Sequence, residues 1–114
     1  MSELPVPVGE SVIDSLRPTE GARFLFERDR EHDGGSRAEY RVAIYTPDAT
    51  YSGRAMLADD GSVSVEAAGA SDDLLAMLTM LAKLTARSAA KKREDGLPPW
   101  PHRVLRWRGP GRGE

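Results

Sequence analysis

Hydrophobic positions change their spacing partway along the chain. From Ala22 onward they recur at every second residue, the pattern of strands that bury one face. Phe24 and Phe26 alternate with Arg23, Leu25 and Glu27, which predicts a first strand. Tyr40, Val42 and Ile44 alternate with Glu39, Arg41 and Ala43 in a second. Tyr51 to Ala58 gives a third, weakened by Gly53, and Val63, Val65 and Ala67 alternate with Ser64 and Glu66 in a fourth. Turn signals separate the runs. His32-Asp33-Gly34-Gly35-Ser36 holds two glycines that can take positive φ, Pro47 pre-sets φ in Thr46-Pro47-Asp48-Ala49, and Asp59-Asp60-Gly61 closes a hairpin. Loops this short between consecutive strands favour an antiparallel meander.

At Ser71 the spacing lengthens to that of a helix. Ser71 can accept from an unpaired amide of the first turn, and Asp72 and Asp73 face the positive end of the helix dipole. Lys91, Lys92 and Arg93 sit at the negative end, Gly96 stops the helix, and Pro98-Pro99 forbid its continuation. Placed at helical steps, Leu74, Met77, Leu78, Leu81, Leu84 and Thr85 form a central stripe. Leu75 and Ala82 widen it on one side and Met80 on the other. An apolar arc of roughly 200° exceeds what one face of a sheet requires, so a second surface must contact this helix. Leu75, Met80 and Leu84, at its margins, are the candidates for that contact.

The flanks are of another kind. Residues 1–21 carry three prolines and scattered apolar positions, and are expected to be a flexible arm. Val12–Leu16 could form a short helical turn, with Val12, Ile13 and Leu16 docking on a surface. Residues 96–114 place both tryptophans, Trp100 and Trp107, among Arg103, Arg106 and Arg108. This segment either folds back on the edge of the helix and completes a small core, or docks on a partner. The expected organisation is thus an arm over 1–21, a ββββα domain over 22–95, and a basic, Trp-containing segment over 96–114.

Charge sharpens the picture. The net charge of -2 conceals a polarised chain. Residues 1–82 hold 7 basic and 15 acidic side chains, whereas residues 83–114 hold 9 basic and 3 acidic. An acidic body with a basic tail is the strongest partner signal in the sequence. Arg outnumbers Lys 13 to 3, but Arg, Ala, Gly and Pro share GC-rich codons, so a GC-rich bacterial genome accounts for the excess. No cysteine is present, which excludes disulfides, thiol nucleophiles and Cys-ligated zinc. No signal-peptide pattern and no long apolar run occurs, and a soluble cytoplasmic protein is expected.

Catalytic chemistry finds no constellation. Asp59-Asp60 falls in a hairpin turn and Asp72-Asp73 in the first turn of a helix, where acids serve structure. His32 falls in a turn and His102 in the tail, seventy positions apart. Neither a Walker pattern nor a dinucleotide fingerprint occurs. No catalytic, cofactor or metal residue is assigned, and no small-molecule substrate is expected. Membrane association is not expected either, because the apolar arc of the helix precedes its basic cluster.

Two binding readings remain. If Phe24, Tyr40 and their neighbours face the helix, the opposite face carries Arg23, Arg41, Tyr45 and Arg54, residue types that track phosphates and stack bases. A four-strand meander followed by one helix, over about residues 22–93, also resembles the repeat unit of PUR-type and whirly-type single-strand binders. That resemblance is topological, matches no sequence motif, and implies dimerisation helped by helices. Against it, Arg23, Arg41 and Arg54 can pair with Glu27, Glu39 and Glu66 in a solvated ladder. Protein contact explains more features together: the overwide helix, and a tail rich in the Trp and Arg that dominate interface hot spots. The expectation is an α+β domain, an antiparallel four-stranded β-meander followed by one long amphipathic α-helix packed on one face. Its expected role is that of a non-catalytic binding or adaptor protein, homodimeric, using Leu75, Met80, Leu84, Trp100, Arg103, Arg106, Trp107 and Arg108. The alternative is a single-stranded nucleic-acid binder using the open sheet face and the tail.

Overall fold

The computed structural model describes residues 17–109, so most of the expected arm lies outside the described residues. The four strands appear where the alternation places them: β1 (Ala22–His32), β2 (Arg37–Tyr45), β3 (Thr50–Ala58) and β4 (Val63–Ala67). A 3-10 turn at Asp33–Gly35 joins the first two, with Gly34 and Gly35 both at positive φ. The Asp59-Asp60-Gly61 hairpin closes with Gly61 at φ 94, while Asp60 accepts from the amide of Ser62 at 2.8 Å. Gly53, read as a weak point, is a requirement of the register. A Cβ there would run into the carbonyl oxygen of Glu66 on β4.

The helix α1 (Asp72–Glu94) starts and stops on its signals. The Ser71 hydroxyl accepts from the Leu74 amide at 3.2 Å. At the other end Gly96 takes φ 75, and the Leu97 amide returns to the Lys92 carbonyl at 2.8 Å, a left-handed cap that satisfies carbonyls of the last turn.

Sheet and helix bury the predicted strand face. Phe24, Phe26, Tyr40, Val42, Ile44 and Leu57 pack against Leu78, Leu81, Ala82, Ala86 and Ala89. Each large apolar side chain fully buried in this way contributes about 1.5–3 kcal/mol. Phe26 and Tyr40 meet edge to face, centroids 6.1 Å apart.

The alanines decide how α1 is rotated. Ala82, Ala86 and Ala89 are all at 0% exposure, on the arc shared with Leu78. Their small side chains let the helix backbone approach the sheet, which turns the buried stripe towards the Leu75 flank. Leu75 packs against the core. Leu84 and Met80, two of the candidate contact residues, are 47% and 41% exposed. The excess apolar surface is therefore gathered on one flank of the helix.

The basic tail adds a fifth strand that its own pattern did not announce. β5 (Arg103–Arg108) pairs antiparallel with β1, Leu25 opposite Leu105 and Phe24 opposite Arg106. The sheet order is β4-β3-β2-β1-β5, so the last strand lies beside the first. Between α1 and β5 the chain is latched to the sheet. Trp100 is 1% exposed, and its indole N–H donates to the Gly35 carbonyl at 2.7 Å. Arg28 donates to the Trp100 carbonyl at 3.0 Å, and the Tyr40 hydroxyl donates to the Pro101 carbonyl at 2.7 Å. Burial, the largest influence on Tyr40, pushes its hydroxyl pKa up, since a phenolate there would be poorly solvated. Of the two courses open to the tail, the structure contains a fold-back, but onto the β1 edge of the sheet rather than the edge of the helix, with Trp100 as its anchor.

Candidate protein interface

The exposed flank of α1 and the strand β5 border one another. Leu81, Leu84, Thr85 and Ser88 line one side of a cavity of about 140 Å³ whose other side is Val104, Arg106 and Arg108. Alternation along β5 sends Val104, Arg106 and Arg108 to the helix side of the sheet, and Arg103, Leu105 and Trp107 to the open side. Further along, Leu74, Met77, Phe24 and Ala22 line a second hollow, closed by Thr46 and by Arg108 and Gly109. The two hollows share Arg108. An apolar floor with a guanidinium rim thus follows the border between α1 and β5.

Of the contact residues expected from sequence, Leu84, Arg106 and Arg108 come together at this border, and Met80 shares the exposed helix flank with Leu84. Arg103 and Trp107 occupy the other face of the same strand. Leu75 is on the opposite flank, near Val65 and Ala67. Trp100 is spent on the core.

Trp107 is 46% exposed yet held in place. Its indole N–H donates to the Glu20 carbonyl at 3.0 Å, and its ring lies so close to Gly109 that a side chain there would strike it.

The open face is a mixed ladder rather than a basic one. Across the sheet the register aligns Arg103, Glu27, Arg41, Arg54 and Glu66 in one row. Arg54 donates to Glu39 at 2.8 Å and to Asp29 at 3.3 Å. Arg23 faces Tyr45 on one side and Trp107 on the other. Tyr45 is 7% exposed, in a small cluster with Leu25 against Ala43 and Leu105. Burial pushes its hydroxyl pKa up, with the Glu27 carboxylate acting in the same direction. Arg23, Arg41, Tyr45 and Arg54 do share a face, as the strand phase requires, but the aromatic ring among them is covered.

The carboxylate pairs serve structure. Asp60 accepts from both the hydroxyl and the amide of Ser62, which holds its carboxyl below the usual range. Asp59 pairs with Arg93 and ties the β3–β4 hairpin to the end of α1. Asp72 and Asp73 lie in the first turn of α1. His32 approaches Glu39 at 3.3 Å, and His102 is exposed elsewhere. Among the described residues no group of three or more His, Asp or Glu is placed to hold a metal ion, and no helix is long and apolar enough to cross a membrane.

Leu105 is the residue that sequence reasoning missed. Nothing in Arg103-Val104-Leu105-Arg106-Trp107-Arg108 alternates cleanly enough to announce a strand. Its signal is the complement in β1, which lies some eighty residues earlier in the chain.

No protein-family model matches the chain, and neither a curated protein nor a solved structure matches it.

Proposed function

We propose that the chain is a small non-catalytic binding or adaptor protein that works through protein contacts, as a homodimer. One observation carries this reading. Two large apolar side chains, Met80 and Leu84, stay exposed on the flank of α1 that borders Arg106 and Arg108 of β5, and a third, Trp107, stays exposed beside Arg103 on the other face of that strand. Large apolar and aromatic residues rimmed by arginine are the composition of interface centres. A flank left bare after the core is complete also needs a partner more than it needs water. Sedimentation of the chain at tens of micromolar should give a dimer. A monomer throughout that range would remove the homodimer from this reading.

The nucleic-acid alternative draws less support. Arg54 is engaged by two carboxylates and the ring of Tyr45 is covered, so the exposed ring of the open face is Trp107, at the sheet edge rather than among Arg41 and Arg54. A shift with random single-stranded DNA that weakens steeply with salt would favour it instead.

A further inference from the structure

Leu84 lies on the helix side of the sheet and Trp107 on the open side. The one border they share is the outer edge of β5. The Arg28 amide donates to the His102 carbonyl at 2.9 Å, which makes Arg28 and His102 a hydrogen-bonded pair of the β1–β5 ladder. Alternation then directs the backbone of Val104, Arg106 and Arg108 towards β1, and that of Arg103, Leu105 and Trp107 outward. Among the described residues no strand stands beyond β5 in the sheet. The other edge is different, since β4 has only five residues and α1 packs against it.

We infer that the occupant of this edge is a second copy of the chain, paired antiparallel through β5 about a twofold axis at Leu105, so that two five-stranded sheets become one. This rests on the homodimer reading and gives it a place. A twofold perpendicular to the sheet keeps like faces together, so opposed residues must share parity, and the axis passes through a residue. Centring on Val104 overlaps only residues 103–105 and sets Trp107 against Pro101, which has no amide hydrogen to give. Centring on Arg106 overlaps 104–108 but places Arg106 directly against its own copy, which is repulsive. Centring on Leu105 overlaps 103–107 with no two arginines directly opposed. Leu105 meets Leu105, Arg106 meets Val104, and on the open face each Arg103 meets the Trp107 ring of the other copy, a favourable cation–aromatic pair. The outward amides and carbonyls of all three outward residues gain ladder partners. On the helix side the two Leu84-lined hollows face one another across the axis.

The chain has no cysteine, so Leu105→Cys introduces a single thiol at the axis. A short bifunctional thiol reagent should join this variant into covalent dimers in high yield. Ser64→Cys on β4 should not be joined. Trp107→Arg, which sets arginine against Arg103 twice per dimer, should weaken association by at least about tenfold, whereas Trp107→Glu, which sets a carboxylate there, should hold it within about threefold. Urea melts confirm that each variant is folded before it is scored. A dimer in sedimentation that leaves Leu105→Cys uncoupled would overturn edge pairing while leaving the homodimer reading intact. A coupled Leu105→Cys dimer in which both Trp107 variants weaken association alike would overturn the Leu105 register. A monomer at every concentration would overturn both the pairing and the homodimer.

Discussion

Trp100 and Trp107 sit seven residues apart on one segment, and the fold treats them in opposite ways. One is 1% exposed, the other 46%. Hydrogen bonding does not separate them, since each indole donates to a backbone carbonyl, Gly35 for Trp100 and Glu20 for Trp107. Position does. Trp100 lies where α1 has ended and the β1–β2 turn rises beside it, so the ring is walled by the sheet and the turn. Trp107 lies on an edge strand, on the face away from α1, with Gly109 close to its ring. The same residue type, given the same polar handle, completes a core in one place and furnishes a surface in the other.

Stability should expose the contrast most strongly. Trp100→Ala leaves a cavity and orphans the Gly35 carbonyl, and is expected to remove about 3–5 kcal/mol, a large share of what a domain this size possesses. Within the monomer, Trp107→Ala deletes a ring that is already half in water, and should cost about 1 kcal/mol or less. Urea melts of the two variants measure both. Similar losses would mean that the outer half of the tail is as much a part of the core as the inner half.

A smaller effect tests the latch itself. Tyr40→Phe leaves the Pro101 carbonyl without its donor and should cost about 1–2 kcal/mol. The intact hydroxyl also makes stability depend on pH. Its folded pKa is raised above the ordinary 10.0, chiefly by burial, so the folded state holds the proton more tightly than the unfolded chain. The stabilisation is complete below pH 10 and is lost as pH rises through 10 towards the folded pKa. Melts taken at rising alkaline pH should therefore fall for the native chain and fall less for Tyr40→Phe. Tyr45, whose pKa is also raised by burial, contributes to the decline that remains. Parallel declines in the two proteins would remove Tyr40 as the source.

Much of this was legible in the sequence, and the division between what was and was not is physical. The four meander strands, their buried face and both ends of α1 rest on local chemistry: alternation, turn residues, a serine cap and a left-handed glycine. Which flank of α1 the sheet covers stays open in the sequence because alanine counts weakly in an apolar stripe, yet Ala82, Ala86 and Ala89 determine the close approach. β5 was missed because an edge strand at the end of a chain takes its identity from β1, far away in sequence. Its own residues carry no alternation that would distinguish a strand from a loop. The open-face row was legible in phase, since Arg23, Arg41 and Arg54 do fall together. The pairing of Arg54 with Asp29 depends on a bulge in β1 between Arg28 and Arg30, where the register shifts. No local pattern foretells that displacement.

The smallest difference between the two tryptophans is optical, and it needs no loss of stability to be seen. In Trp107→Phe the remaining indole is enclosed and donates to Gly35, so its emission should be blue-shifted and resist a charged quencher such as iodide. In Trp100→Phe, at a concentration where the chain is monomeric, the remaining indole is half in water on an edge strand. Its emission should lie further to the red and be quenched readily. The native chain should then give a two-component quenching curve, one accessible fraction and one protected. A single component in the native chain, with equal accessibility in both variants, would place both rings in the same environment and dissolve the distinction between the inner and outer halves of the tail.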